Sequence, residues 1–236
     1  MQRTIIALAG QMGAGKDSLA AALKKQLQSK NRYLLTLSFA QALKTELDLL
    51  ISNLFDYRQL KTDKQAKFFD YLEVTFHANA EQLKTVQTII DPLWQQLPRS
   101  EINAHLRHPA MRRLLQYWGT TVRRQQDPDY WIKQLDQTIN SLADDRLVLA
   151  ITDARFTNEL NYAKGIGAKL VYLDISTNER IRRIKQRDGF LPSQKALEHR
   201  SEQDMINYSH YDLILSDDHE SSFKQAQKVV ELIEKP

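Results

Sequence analysis

Apolar positions follow two rhythms along this chain. Short continuous runs occur at Thr4–Ala9, Tyr33–Phe39, Arg146–Thr152, Lys169–Ile175 and Asp212–Leu215. Runs of this length, apolar in the middle, predict strands buried on both faces. Between them the spacing changes to three and four. Leu19, Leu23 and Leu27 predict a helix over 16–29, and Leu43, Leu47, Leu50 and Leu54 predict one over 41–55. Met111, Leu114, Leu115, Trp118 and Val122 predict a helix over 110–124. Further helices are expected at about 129–143, 158–164, 178–187, 198–206 and 221–234. Five strands alternating with helices predict an α/β fold, a three-layer, doubly wound, five-stranded parallel sheet with right-handed crossovers.

Residues 56–108 break the alternation. Phe68, Phe69, Leu72, Val74 and Phe76 are apolar without a clean period, and 85–97 looks helical but interrupted at Pro92. The segment reads as a helical insertion in a single domain whose core is 1–55 and 109–236. Its expected role is to set substrate choice or to form an oligomer surface, a homodimer being the simplest case.

The first strand runs into Gly10-Gln11-Met12-Gly13-Ala14-Gly15-Lys16-Asp17-Ser18, and a helix follows. Strand, glycine-rich turn, lysine and helix is the context of a phosphate-binding loop. Glycines let successive N–H groups point at a polyphosphate, the helix N-terminus adds positive potential, and Lys16 adds a full charge. The hydroxyl usually found next to the lysine comes one place late, at Ser18.

Bulk properties narrow the class. The 236 residues are 42% hydrophobic and 26% charged, with no cysteine, so disulfides and thiolate metal sites are excluded. No run is long enough for a membrane span, and no membrane partner is expected. The chain opens directly into a strand, which reads as the lack of a signal peptide, and a cytoplasmic protein is expected. The net charge of +4 is uneven: 107–133 and 178–200 each carry an excess of four positive charges. With a phosphate loop present, two cationic segments suggest a phosphorylated substrate. No nucleic-acid motif accompanies them, so nucleic acid is not an expected partner.

Ligands of doubly wound sheets bind at the carboxyl ends of strands. Those ends carry the loop, Phe39, Asp153 and Arg155. Asp153 is placed to order magnesium, or alternatively to cap the helix that follows it. Arg155 is placed to hold a phosphate, or alternatively to pair with Asp153 or Glu159. Arg180, Arg183 and Arg187 share one helix face, as a lid over about 178–200 that neutralises a transferring phosphoryl group would require. Arg112, Gln116, Gly119 and Arg123 form a second polar stripe.

Together these segments resemble the deoxynucleoside monophosphate kinases of phage and bacterial type. Gly15-Lys16-Asp17-Ser18 is similar to that family's G-K-D-[ST]. Phe39-Ala40 with Leu43-Lys44 resembles its F-A-x-x-L-K. Leu115-Gln116, Gly119-Thr120, Arg124, Asp127-Pro128-Asp129 and Trp131 resemble its L-Q-x-x-G-T…R…D-P-D-x-W. Asp153–Glu159 resembles its D-x-R-F-x-N-E, and His199, Ser201 and Glu202 its H-x-S-E. Asp17 is then a family trait.

The resemblance implies a P-loop fold of nucleoside monophosphate kinase type, strand order 2-3-1-4-5, ATP as donor and Mg2+ as cofactor. ATP would be held by Gly10, Gly13, Ala14, Gly15, Lys16, Asp17, Ser18 and Arg180. Asp17 and Ser18 would join Asp153 as magnesium ligands. Catalysis would rest on Lys16, Asp17, Asp153, Arg155, Arg183 and Arg187. A nucleoside monophosphate acceptor would meet Phe39, Lys44, Arg112, Gln116, Arg124, Trp131 and Glu159. The helical wheel prefers Arg123 to Arg124 for this role, and both are carried. After the last strand, where family members often have Asn near the adenine, this chain reads Ser216-Asp217-Asp218. Two alternatives stand: a phosphomevalonate-kinase-like enzyme, whose acceptor needs no base-stacking surface, and a nucleotide-binding module without turnover.

Overall fold

The computed structural model describes residues 3–58, 64–94, 109–189, 194–198, 200–216 and 219–235. Packing divides the chain into two compact units, Met1–Phe39 with Ile132–Pro236, and Ala40–Trp131. The second unit is wider than the insertion expected at 56–108, because the helices on either side of that segment pack with its own helices.

The first unit is built on five parallel strands: β1 (Thr4–Gly10), β2 (Tyr33–Leu37), β3 (Leu147–Ile151), β4 (Lys169–Leu173) and β5 (Leu213–Leu215). Their order is β2-β3-β1-β4-β5, as the resemblance implied. Register places Ala7 beside Ile151 and Leu170, and Gly10 beside Leu173, so β1 and β4 end together while β3 stops beside Ala7. Ile6, Leu8, Val148, Ala150, Val171 and Leu173 bury one face of the sheet against Leu19, Leu23 and Leu27 of helix α1 (Lys16–Ser29). Continuous apolar runs become central strands because both faces are covered and polar side chains there would lose water without compensation.

The second unit is helical: α2 (Phe39–Arg58), α3 (Lys64–Phe76), α4 (Ala80–Trp94) and α5 (Pro109–Gln116), the last continuing as a π-helical stretch, Tyr117–Arg123. The stretch with no clean period is α3. Phe68, Leu72 and Phe76 are buried at four-residue spacing, while Val74 is 75% exposed and masks that spacing in the sequence. Helix α4 does not break at Pro92 as expected. It stays helical through Pro92 to Trp94, the last residue described there. The core joins Leu47, Phe68, Leu72, Ile90, Leu114 and Trp118.

Returning to the first unit, α6 (Tyr130–Ser141) precedes β3, α7 (Thr157–Gly165) precedes β4, α8 (Thr177–Asp188) follows β4, and α9 (Ser222–Glu234) closes the described chain. Of the helix expected over 198–206, the described residues form one turn, Arg200–Gln203; another turn, Gln194–Leu197, precedes it. Among the described residues no helix is long and apolar enough to cross a membrane. His199 and the pair Asp217-Asp218, which the family resemblance involves, lie outside the described residues.

Candidate active site

The turn between β1 and α1 has the backbone that a phosphate cradle needs. Gly13 has φ +82°, and a Cβ there would stand 2.7 Å from the carbonyl oxygen of Arg180. Gly15 has φ +97°, and the Arg183 guanidinium would be 3.2 Å from its Cβ. Left-handed backbone and close packing together exclude side chains at these two positions. Lys16 folds back over the turn, donating to the carbonyls of Gly10 at 2.5 Å and Gln11 at 3.3 Å. Enclosure of its ammonium group pushes its pKa from 10.5 down to about 8; Arg155 adds to the lowering, while Glu202, Asp17 and Asp153 oppose it. Those influences bring one lysine, one arginine and three carboxylates to the same corner.

Glu202 ties this corner together. In the sequence it stands only within the short His199-x-Ser201-Glu202 motif, and in the fold it is 1% exposed. Its carboxylate accepts the Met12 N–H at 2.6 Å and pairs with the Arg155 guanidinium. Arg155 therefore pairs with Glu202, and neither alternative partner proposed for it, Asp153 or Glu159, takes that place. Nothing in the local pattern shows this, since 47 residues separate the two.

Asp153 stands at the end of β3 as expected, but its cap goes to the other helix. Its carboxylate accepts from Ser38 Oγ at 2.6 Å and from the Phe39 N–H at 2.8 Å, at the start of α2. Capping joins the ends of β2 and β3. Glu159, expected at the acceptor, is 2% exposed and turns back to accept from the N–H groups of Arg155 (2.8 Å) and Phe156 (3.1 Å). That contact corrects the expectation: the carboxylate shapes the turn carrying Arg155. Phe39 is also in the core, edge-on to Tyr162.

The three arginines of α8 share a face but not an environment. Arg180 is 4% exposed and is consumed by structure, donating to the carbonyls of Ile175 and Met12 and to Thr177 Oγ1. It holds the loop from behind. Arg183 donates to the Ala14 carbonyl at 3.1 Å and pairs with Glu179 at 2.7 Å, so it lies across the loop. Arg187 is exposed on the last turn. Hydrogen bonds from Arg182 and Arg183 pull the Glu179 carboxyl down to about 2. A polar cavity of about 410 Å3 opens here, lined by Gly15, Ser18, Glu179, Arg183, His219 and Gln225 among others.

No group of three or more His, Asp or Glu that would hold a metal unaided occurs among the described residues. Asp17 and Ser18 are exposed on the first turn of α1. Magnesium keeps several waters and takes one or two carboxylates together with substrate phosphates. Asp17, exposed beside the phosphate loop, fits an ion that arrives with its nucleotide.

In the second unit the expected acceptor residues divide. Lys44 and Gln116 are exposed on α2 and α5. Arg112 lies on α5, and its side chain is outside the described residues. Arg123 is 8% exposed: it pairs with Glu46 at 2.5 Å and lies over the rings of Phe76, Trp118 and Tyr130 at 4.9, 5.7 and 4.7 Å. Trp131 is 3% exposed and donates to the Gly119 carbonyl. The predicted stripe Arg112-Gln116-Gly119-Arg123 is thus corrected. A π turn stacks residues five apart, which carries Arg123 under Trp118 and into the core. Arg124 stays half-buried, donating to the Pro128 carbonyl at 3.4 Å.

A family model described as deoxynucleotide monophosphate kinase matches residues 45–207. No curated protein sequence matches the chain. Among solved structures, TT1252 from Thermus thermophilus is 17% identical with all of both chains covered and a TM-score of 0.47. The Mycobacterium tuberculosis APS kinase CysC is 15% identical over 99% of each chain, with a TM-score of 0.45. Shikimate kinase from Bacteroides thetaiotaomicron is 15% identical over 98% of this chain and 99% of its own, with a TM-score of 0.43. The family match begins beyond the phosphate loop, which stands on its own geometry, and covers more than two thirds of the chain. The chain belongs to the deoxynucleotide monophosphate kinase family.

Proposed function

We propose that this kinase moves the γ-phosphoryl group of ATP onto the 5′-phosphate of a deoxynucleoside monophosphate, yielding ADP and the diphosphate. The observation that carries this reading is the gathering of Lys16, Arg155 and Arg183 at one glycine-rich turn beside exposed Asp17. An oxygen of the acceptor phosphate forms a bond to the γ-phosphorus as the bond to the β-phosphate oxygen breaks. The electron pair of the broken bond leaves on ADP. An ionised acceptor phosphate has no proton to give up, so no general base is required, and positioning with charge neutralisation carries the rate. Lys16 and the loop N–H groups hold the donor phosphates, Arg155 and Arg183 offset charge on the moving group, and α8 helps exclude water. Mg2+, when bound through Asp17 and Ser18, would neutralise charge on the donor phosphates, with Asp153 nearby for its water shell. In the second unit Lys44, Gln116 and Arg124 keep polar groups within reach of solvent and remain the candidates for acceptor contact.

A second reading is favoured by one observation. Of the aromatic candidates for a base-stacking surface, Phe39, Trp118 and Trp131 are buried, and Tyr117 is partly buried. An acceptor without a base, such as a phosphorylated small metabolite, would need no such surface.

A coupled ADP-release assay over a panel of deoxynucleoside and ribonucleoside monophosphates and phosphomevalonate tests both readings. Turnover with a deoxynucleoside monophosphate, lost by about a thousandfold or more in Lys16→Ala while thermal unfolding stays within a few degrees, is the expected result. Preference for phosphomevalonate supports the second reading. Near-normal rates in Lys16→Ala overturn both.

A further inference from the structure

The helical turn Arg200–Gln203 meets the phosphate loop at Glu202. The Glu202 carbonyl accepts from Gln11 Nε2 at 3.2 Å, one carboxylate oxygen accepts the Met12 N–H, and the other takes the Arg155 guanidinium. The loop and Arg155, far apart in sequence, therefore meet on a side chain that is 2% exposed. Arg155, by contrast, is 31% exposed, so one edge of its guanidinium is held inside while part of the group reaches solvent. A buried carboxylate loses several kcal/mol of hydration, which only close partners repay. Here the partners are a backbone amide of the loop and a permanently charged arginine. Such an expensive group, placed where a neutral one would pack, has a consequence for the arginine. An unrestrained arginine samples many rotamers, and each one frozen at the moment of reaction adds to the barrier.

The geometry points to Glu202 as a positioning residue for phosphoryl transfer: its buried carboxylate fixes Arg155 against the phosphate loop. This rests on the phosphoryl-transfer reading above and adds a residue that reading did not use. The carboxylate does not touch the reacting phosphates. It sets the distance between the arginine after β3 and the loop after β1, so that the exposed edge of Arg155 meets the group in transit without searching for it. Glu202 also lies just beyond the expected lid segment, which makes the register of that turn part of the arginine's placement.

A double-mutant cycle tests the assignment. The amide of Glu202→Gln can still accept from Met12 but loses the charge that holds Arg155. It is expected to lower kcat on the order of a hundredfold, with the KM for ATP changed less than about threefold. Arg155→Ala should lower kcat by a similar factor. In the Arg155→Ala background, Glu202→Gln should cost no more than about twofold further. Losses that multiply, or a change confined to KM or to thermal stability, overturn the assignment. Should Glu202→Gln not fold, Glu202→Asp replaces it, because withdrawing the charge by one methylene should give the same non-additive pattern. Absence of turnover in the wild type on every acceptor overturns the phosphoryl-transfer reading and this inference together. Turnover in the wild type with additive losses overturns this inference alone.

Discussion

At the scale of single residues, burial decides what a charge is available for. Arg180 and Arg183 are one helical turn apart, yet the first is spent on carbonyl groups behind the loop and the second lies across it. Lys16 shows the same effect in its titration. Its pKa falls from 10.5 to about 8, chiefly through enclosure, with Arg155 adding to the fall and Glu202, Asp17 and Asp153 limiting it. In the folded protein the lysine is neutral above about pH 8, whereas the unfolded chain keeps it charged up to pH 10.5. Across that window the unfolded state holds more protons, so the stability increment from this group rises with pH while the phosphate-binding charge disappears. We expect kcat/KM for ATP to fall as pH rises through about 8, and the corresponding limb in kcat to lie higher, because bound polyphosphate raises the lysine's pKa. A pH–rate series checks this; coincident limbs would show that Lys16 is not the titrating group. Lys16 itself was legible in the sequence, because strand, loop and helix are local. Its lowered pKa was not, because the enclosure that causes it, and the approach of Arg155 and Glu202, come only with the fold.

At the scale of elements, the π-helical stretch Tyr117–Arg123 is the main departure from expectation. A wheel of 3.6 residues per turn places Arg123 with Arg112 and Gln116, facing out. The wider turn instead buries it beside Glu46 and three rings. Removing one partner of a buried ion pair leaves the other uncompensated, so Arg123→Ala should cost about 3–5 kcal/mol of unfolding free energy. Arg124→Ala, with a half-buried side chain and a long bond to Pro128, should stay within about 0.5 kcal/mol. Chemical denaturation of the two variants separates them; equal stabilities would return Arg123 to the surface. The same reasoning explains α3: three buried residues define its face, and the exposed Val74 conceals it, because apolar residues on the surface are ordinary.

At the scale of the molecule, the sheet of the first unit should dominate its resistance to opening. β1, β3 and β4 are each paired on both sides, whereas β2 and the three-residue β5 lie at the edges. Hydrogen exchange should therefore be slowest at Ile5–Ala9 and in the middle of β3 and β4, with β5 exchanging sooner through local opening. Exchange at β5 as slow as at β1 would contradict this. The parallel sheet, the phosphate loop and the ends of the strands follow from the sequence alone, since apolar period, glycine placement and capping residues act over a few neighbours. The family's short motifs added the strand order, which the paired strands bear out. What only the tertiary structure decided is how the charges are distributed among tasks. Asp153 caps α2, Glu159 braces the turn of Arg155, Arg123 enters a core, and Glu202 joins the arginine to the loop. A charged side chain in sequence has no burial and no partner; desolvation and pairing over dozens of residues assign both, and only the folded chain brings those partners within reach.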